Sequence, residues 1–280
     1  MKIWKYHLLQ LSIIILTSAN SYSCINTGKL SLTGTSTSSE IGWWKPEPDN
    51  SYQIQYDDLP IDLSVEADVY SVDLFETPAK TIQAIHQAGA KVLCYLNAGA
   101  WEEYRPDAGD FPKSVIGSDY AGWPGEKWLD IRNYHSFAHI IQARMDLAVE
   151  KGCDGVDLDN LQNYDEDTGF PIEAGEQLAY NKWLSEQAHA RGLAISLKNA
   201  PDLVFPLVDD YDLAVAEDCL VYGFCDAYKL FIEKGKPFFM IEYTDQFSDA
   251  DAICSTADEF EYYGMRKNRN LGSWRENCPK

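Results

Sequence analysis

After Leu16 the chain has no further long apolar run. No transmembrane helix is therefore expected beyond that point, since one needs about 20 apolar residues. No internal repeat is seen at solenoid periods. No Gly-x-Gly-x-x-Gly follows the first strand-like run, which disfavours a dinucleotide-binding open sheet. Basic residues are also scarce. There are 23 Lys and Arg against 44 Asp and Glu, a net charge of −21. Phosphate backbones need basic patches, so nucleic acid is not expected as a partner. An acidic surface draws cations and repels anions, although a plain solvated face would have the same composition.

What is present begins with Met1-Lys2-Ile3-Trp4-Lys5, an apolar run over 8–16, and small or polar residues over 17–23. This is the layout of a secretory signal, expected at 1–23. Residues 24–41 are rich in Ser, Thr and Gly and read as a flexible tether. Residues 42–280 remain as one domain. Cys24, directly after the signal, could carry a lipid anchor; otherwise the protein is expected free in the extracellular space or periplasm. There are seven cysteines, and exported proteins pair them. Cys219 and Cys225 bracket a short loop, and Cys254 and Cys278 bracket the C-terminal segment. Those two disulfides are expected, with Cys94–Cys153 as a third and Cys24 left over.

Eight β-like runs follow the tether, at 52–56, 69–73, 91–96, 127–131, 155–159, 194–198, 213–217 and 238–243, each rich in Val, Ile, Leu, Tyr or Phe. Helical patterns at 77–88, 137–151 and 174–190 each stop at or near a glycine (Gly89, Gly152, Gly192). Strand followed by helix implies a parallel sheet. The expected fold class is α/β, a single (β/α)8 TIM barrel.

Chemistry in such a barrel sits at the carboxyl ends of its strands. Gly155-Val156-Asp157-Leu158-Asp159-Asn160 ends one strand on two carboxylates and an amide, and Leu213-Ala214-Val215-Ala216-Glu217 ends another on a third. Carboxylates at strand ends are costly to bury as structure. Two of them facing one sugar could hydrolyse a glycosidic bond. Asp159 is expected as the ionised nucleophile or base. Glu217 is expected as the acid, its pKa raised by apolar surroundings and a neighbouring charge. If 155–159 and 213–217 are the fifth and seventh strands, their tips converge on one pocket. Candidate substrate-binding groups at other tips and nearby loops are Asp73, Tyr95, Asn97, Asp157, Asn160, Lys198, Asn199, Glu242 and Tyr243. Aromatic rings stack on sugar faces, which adds Trp101, Trp123 and Tyr222. Asp157 and Asp159 could alternatively hold a divalent metal. No third ligand is obvious, so neither metal nor cofactor is expected.

Ordered motifs along the chain resemble glycoside hydrolase family 114, the endo-α-1,4-polygalactosaminidase-like barrels. They include Cys94-Tyr95-Leu96-Asn97-Ala98-Gly99, Trp101-Glu102-Glu103-Tyr104-Arg105-Pro106-Asp107, Gly122-Trp123-Pro124-Gly125-Glu126, Gly152 to Asn160, Leu197-Lys198-Asn199, Ala214-Val215-Ala216-Glu217-Asp218-Cys219 and Trp274-Arg275-Glu276-Asn277-Cys278. The resemblance implies a barrel that cleaves α-1,4-linked galactosamine polymers with retention, with catalytic carboxylates at Asp159 and Glu217. A cationic polysaccharide suits the acidic chain, with Asp73, Asp157 and Glu242 as candidate counter-charges for its amino groups. A monomer is expected. The rival readings are a non-catalytic carbohydrate-binding barrel and a metal-dependent hydrolase built on Asp157 and Asp159.

Overall fold

The computed structural model describes residues 42–278. The signal, the tether and Cys24 lie outside the described residues. Eight parallel strands form one sheet: β1 (Tyr52–Gln55), β2 (Val69–Asp73), β3 (Lys91–Asn97), β7 (Gly155–Asp159), β8 (Ala194–Lys198), β9 (Leu213–Glu217), β10 (Phe238–Tyr243) and β11 (Tyr263–Lys267). The helices between them include α1 (Ala79–Gln87), α2 (Ala138–Lys151), α3 (Ala174–His189), α4 (Val204–Leu207), α5 (Cys219–Tyr222), α6 (Lys229–Glu233) and α7 (Ala250–Phe260). This is the expected α/β barrel.

Alternation along the strands divides the apolar residues into two cores. Tyr52, Ile54, Val69, Leu93, Leu213, Val215, Phe239, Ile241, Tyr263 and Met265 pack together inside the barrel. Their neighbours Val72, Val92, Leu96, Val156, Leu158, Ile195, Leu197, Ala214, Phe238 and Met240 face the helices. α2 ends on Gly152, whose φ of 89° is left-handed and open to glycine without strain. The chain then turns straight into β7, with Cys153 joined to Cys94 of β3.

Two strand assignments change. The run at 127–131 is not a barrel strand. Its core is β6 (Glu126–Leu129), which forms a small antiparallel sheet with β4 (Ala100–Glu102) and β5 (Ile116–Asp119), inserted between β3 and α2. The eighth barrel strand is instead β11, which is not among the eight runs expected from sequence. Asp159 and Glu217 consequently end the fourth and sixth barrel strands, not the fifth and seventh. Two-residue alternation reports a half-buried strand but not the sheet that receives it.

The sheet order does not pair β11 with β1. A strap over 268–278 fills that seam. The Leu271 carbonyl accepts from the Tyr56 amide at 2.9 Å, and Gln53 Nε2 donates to the Ser273 carbonyl at 2.9 Å. The Arg275 guanidinium donates to the Tyr52 carbonyl. β12 (Arg275–Asn277) runs antiparallel to β11, and Cys254–Cys278 pins its end to α7. The third disulfide, Cys219–Cys225, closes the loop after β9.

Candidate active site

A cavity of about 650 Å³ opens at the carboxyl ends of the barrel strands. The tips of β2, β3, β7, β8, β9 and β10 supply Asp73, Tyr95, Asp159, Lys198, Glu217 and Tyr243, joined by Asn199, Asp218 and residues of the strap. Parity explains the selection. Each of the six is an inward position of its strand: Asp73, Tyr95, Glu217 and Tyr243 are in step with interior apolar residues below them, and Asp159 and Lys198 are in step with the buried Asp157 and Ser196.

Asp159 and Glu217 both line this cavity. Asp159 Oδ2 accepts from the Tyr95 hydroxyl at 3.1 Å, and Oδ1 accepts from the Asn160 amide at 3.0 Å. Glu217 is held more firmly. Its Oε2 accepts from Asn199 Nδ2 at 3.0 Å and lies 3.5 Å from Lys198 Nζ; its Oε1 accepts from the Tyr243 hydroxyl. Asn199 Oδ1 in turn accepts from the Glu217 backbone amide at 2.8 Å. Lys198 is almost completely buried and also lies 3.8 Å from Asp157 Oδ2. Burial alone would discharge its ammonium, but Asp159, Glu217 and Asp157 together keep it charged.

These contacts reverse the expected polarity of the pair. Burial raises the Asp159 pKa, and the charges of Glu217 and Asp157 add to that, outweighing the pull of Lys198. Burial also acts to raise Glu217, but Lys198, Tyr243 and Asn199 overcome it and leave its pKa below the usual glutamate value. The two shifts run in opposite directions, so of the pair Glu217 is the more readily ionised carboxylate and Asp159 holds its proton to higher pH.

The three residues that follow the tips of β7, β8 and β9 share one backbone state. Asn160, Asn199 and Asp218 have φ of 60°, 49° and 56°. Left-handed non-glycine residues are uncommon, and Asn and Asp bear the strain best. At Asn160 the turn is tight enough that a Cβ on Gly99 would sit 1.7 Å from the Asn160 carbonyl oxygen. Asp218 is fixed by Arg269 at 2.9 Å, and that guanidinium lies 4.1 Å from the centre of the Tyr243 ring.

Of the expected substrate-binding residues, Asp73, Tyr95, Trp123, Lys198, Asn199, Tyr222 and Tyr243 line the cavity. Trp123 and Tyr222 are exposed on it, at 49% and 69%. Asn97, Trp101, Asp157, Asn160 and Glu242 are not on its wall. Asp157 points inward but lies one layer deeper, fully buried, and accepts from the hydroxyls of Tyr56, Ser71 and Ser196. Asn97 folds back to accept from the Gly99 and Ala100 amides. Trp101 packs on the core and donates to the Ala108 carbonyl at 2.9 Å. Asn160 is buried under its turn. Glu242 faces outward, beside Tyr243 facing inward, and accepts from the Leu220 amide at 2.8 Å. Asp157 and Glu242 are therefore not placed to neutralise a ligand's charge.

The cavity wall also holds Tyr56, Glu102, Tyr104, Arg105, Tyr120, Glu126 and Arg269, which are not among the substrate-binding residues named above. Most sit on the β4–β6 insert or the strap, so no barrel-strand tip announced them. Arg105 joins two walls: its Nη2 lies 2.8 Å from Asp73 Oδ2 and 2.9 Å from Glu102 Oε1. Among the described residues the group of ligand atoms close enough to share a metal ion is Cys219, Cys225 and Glu242, whose two sulfurs are bonded to each other.

Comparison with known proteins agrees with this architecture. The crystal structure of Aspergillus fumigatus Ega3 in complex with galactosamine superposes with a TM-score of 0.81 at 37% identity, covering 85% of this chain and 98% of that one. The glycoside hydrolase domain of PelA from Pseudomonas aeruginosa shares the fold, with a TM-score of 0.61 at 14% identity over 80% of this chain and 96% of that one. An uncharacterized protein of Deinococcus radiodurans is 27% identical over 212 residues, 67% of this chain and 66% of its own length. The match thus spans just under two thirds of that relative. The model of glycoside-hydrolase family GH114 matches residues 33–280, from before β1 to beyond β12 and through every strand tip on the cavity, and the chain belongs to that family.

Proposed function

We propose that the protein is an exported, endo-acting glycoside hydrolase that cleaves α-1,4-linked galactosamine or N-acetylgalactosamine polysaccharide, with Asp159 and Glu217 as its carboxylate pair. The observation that carries this reading is that both carboxylates, from strands far apart in sequence, line one sugar-sized cavity with Lys198 between Glu217 and the layer beneath. The kinship with a protein crystallised with galactosamine supports the substrate class. Three disulfides suit an oxidising compartment.

In this reading Asp159 donates its proton to the departing glycosidic oxygen as the bond to the anomeric carbon breaks. Glu217, ionised and oriented by Tyr243 and Asn199, attacks that carbon from the other side of the ring. Asp159, now ionised, then takes a proton from the water that displaces Glu217, which restores both groups. The roles are exchanged relative to the sequence expectation, because three donors converge on Glu217 and two on Asp159. Rings of Trp123 and Tyr222 offer stacking faces at the rim.

The test is incubation with polygalactosamine and with its acetylated form, followed by mass analysis of the products. Short oligomers are expected from at least one polymer. Glu217→Gln should fold normally and lose activity by about two orders of magnitude or more. Wild-type turnover in that variant overturns the assignment. Binding without release of reducing ends points to a non-catalytic barrel instead.

A further inference from the structure

The charges on the cavity wall do not balance. Asp73 and Glu102 share the Arg105 guanidinium. Asp218 has Arg269, and Glu217 has Lys198. Glu126, at the start of β6, is only 8% exposed and lines the same cavity, yet among the described residues no lysine or arginine pairs with it. Its side chain accepts instead from a neutral hydroxyl, that of Tyr104, at 2.8 Å from Oε1. The same hydroxyl lies 3.1 Å from Glu102 Oε1. A phenol has one proton to give, so it can serve one of these two carboxylates at a time. A buried carboxylate with half a donor and no counter-ion is costly. A cation arriving in the cavity would remove that cost.

We infer that Glu126 is a specificity-determining subsite residue, which binds the ammonium group of an amino sugar in the cavity and selects the free amine over the acetamide. The inference rests on the reading of the cavity as an amino-sugar site. It names a residue on the β4–β6 insert in place of Asp157, which lies one layer beneath the cavity, and Glu242, which faces outward. An acetamide carries no charge and brings a methyl group, so it leaves Glu126 unpaired and offers its N–H as a single weak donor.

The groups facing Glu126 fix the pH dependence. Glu102, Tyr104 and Arg105 approach from β4 and its turn, Asp159 from β7, and Tyr120 from the turn after β5. Glu103 packs against Gly125 next to it, and Lys127 is engaged with Asp119. Burial, together with the charges of Glu102 and Asp159, lifts the Glu126 pKa to about 7 against the opposing hydroxyl of Tyr104 and charge of Arg105. Near neutrality Glu126 is partly protonated in the free protein. An incoming ammonium favours the ionised form, so binding expels a proton.

The experiment uses galactosamine and N-acetylgalactosamine as probes of the full chain. Calorimetry at pH 7 in buffers of differing ionisation enthalpy measures affinity and the protons released. Wild type is expected to prefer galactosamine and to release protons on binding it. Glu126→Gln should reduce the preference about tenfold or more and remove most of the proton release; Glu126→Asp, which keeps the charge, should retain part of both. An unchanged preference and proton release in Glu126→Gln overturn the inference. Should the wild type cleave neither polymer while Glu126-dependent proton release persists, the proposed catalysis falls and the subsite stands.

Discussion

Lys198 is the residue on which the polarity of the catalytic pair depends. It is 1% exposed and holds Glu217 ionised from 3.5 Å. Activity should therefore rise with pH through a limb lying below the usual glutamate range, where Glu217 loses its proton. It should fall through a limb above the usual aspartate range, where Asp159 loses its own. Lys198→Met removes the cation, so the acid limb of kcat/KM should move to higher pH; an unmoved limb argues against the assigned charges. Glu242 supplies a stability test at the same scale. Burial raises its folded pKa to about 7 from 4.5, so folding takes up a proton there. The resulting penalty is absent below about pH 4.5, grows as pH rises toward 7, and is complete above it. Glu242→Gln should therefore raise the melting temperature at pH 8 and change it little at pH 4. Strand parity already contained the correction to Glu242: if Tyr243 faces in, its neighbour must face out. The depth of Asp157 was not legible, because two inward positions of one strand differ only in layer. The pKa of Glu217 was not legible either, because Lys198, Tyr243 and Asn199 come from other strands.

At the scale of elements, the cavity has parts of different origin. The barrel strands bring Asp159, Lys198 and Glu217, and sequence alternation with glycine stops was enough to find them. The insert β4–β6 and the strap bring Glu126, Arg105 and Arg269, and short strands of mixed composition carry no signal in sequence for where such residues end up. The strap is illegible in sequence for a further reason. Its connection to β1 is made by side chains and carbonyls, with Gln53 reaching Ser273 and Arg275 reaching Tyr52, rather than by a strand pairing that a pattern could announce. Cys254–Cys278 closes a segment with a sequence separation of 24. Replacing the pair with alanines should cost about 3 kcal/mol of stability. Because residues 269–271 line the cavity, it should also raise KM for polymer more than it lowers kcat. The same KM for wild type and variant, under conditions where both are folded, would show that the strap does not shape the site.

At the scale of the whole molecule, net charge and cavity agree in sign. The chain carries −21, and more carboxylates than cations line the cavity. Affinity for a deacetylated polymer should weaken as salt rises from about 0.05 to 0.5 M, with a smaller change for the acetylated form; salt-independent binding of the deacetylated polymer counts against a charge-selected substrate. The opposite end of the barrel is built differently. Trp43 stacks on His189 with ring centres 3.9 Å apart, and the Trp43 indole, Lys45 and His189 all converge on Asp212, just before β9. The first described residues are thus fastened where the strands begin, with the full depth of the barrel between them and the cavity. Immobilising the protein on a bead or electrode through a linker ahead of residue 42 should therefore leave the mouth clear for long polymer chains, whereas coupling through the strap would block it.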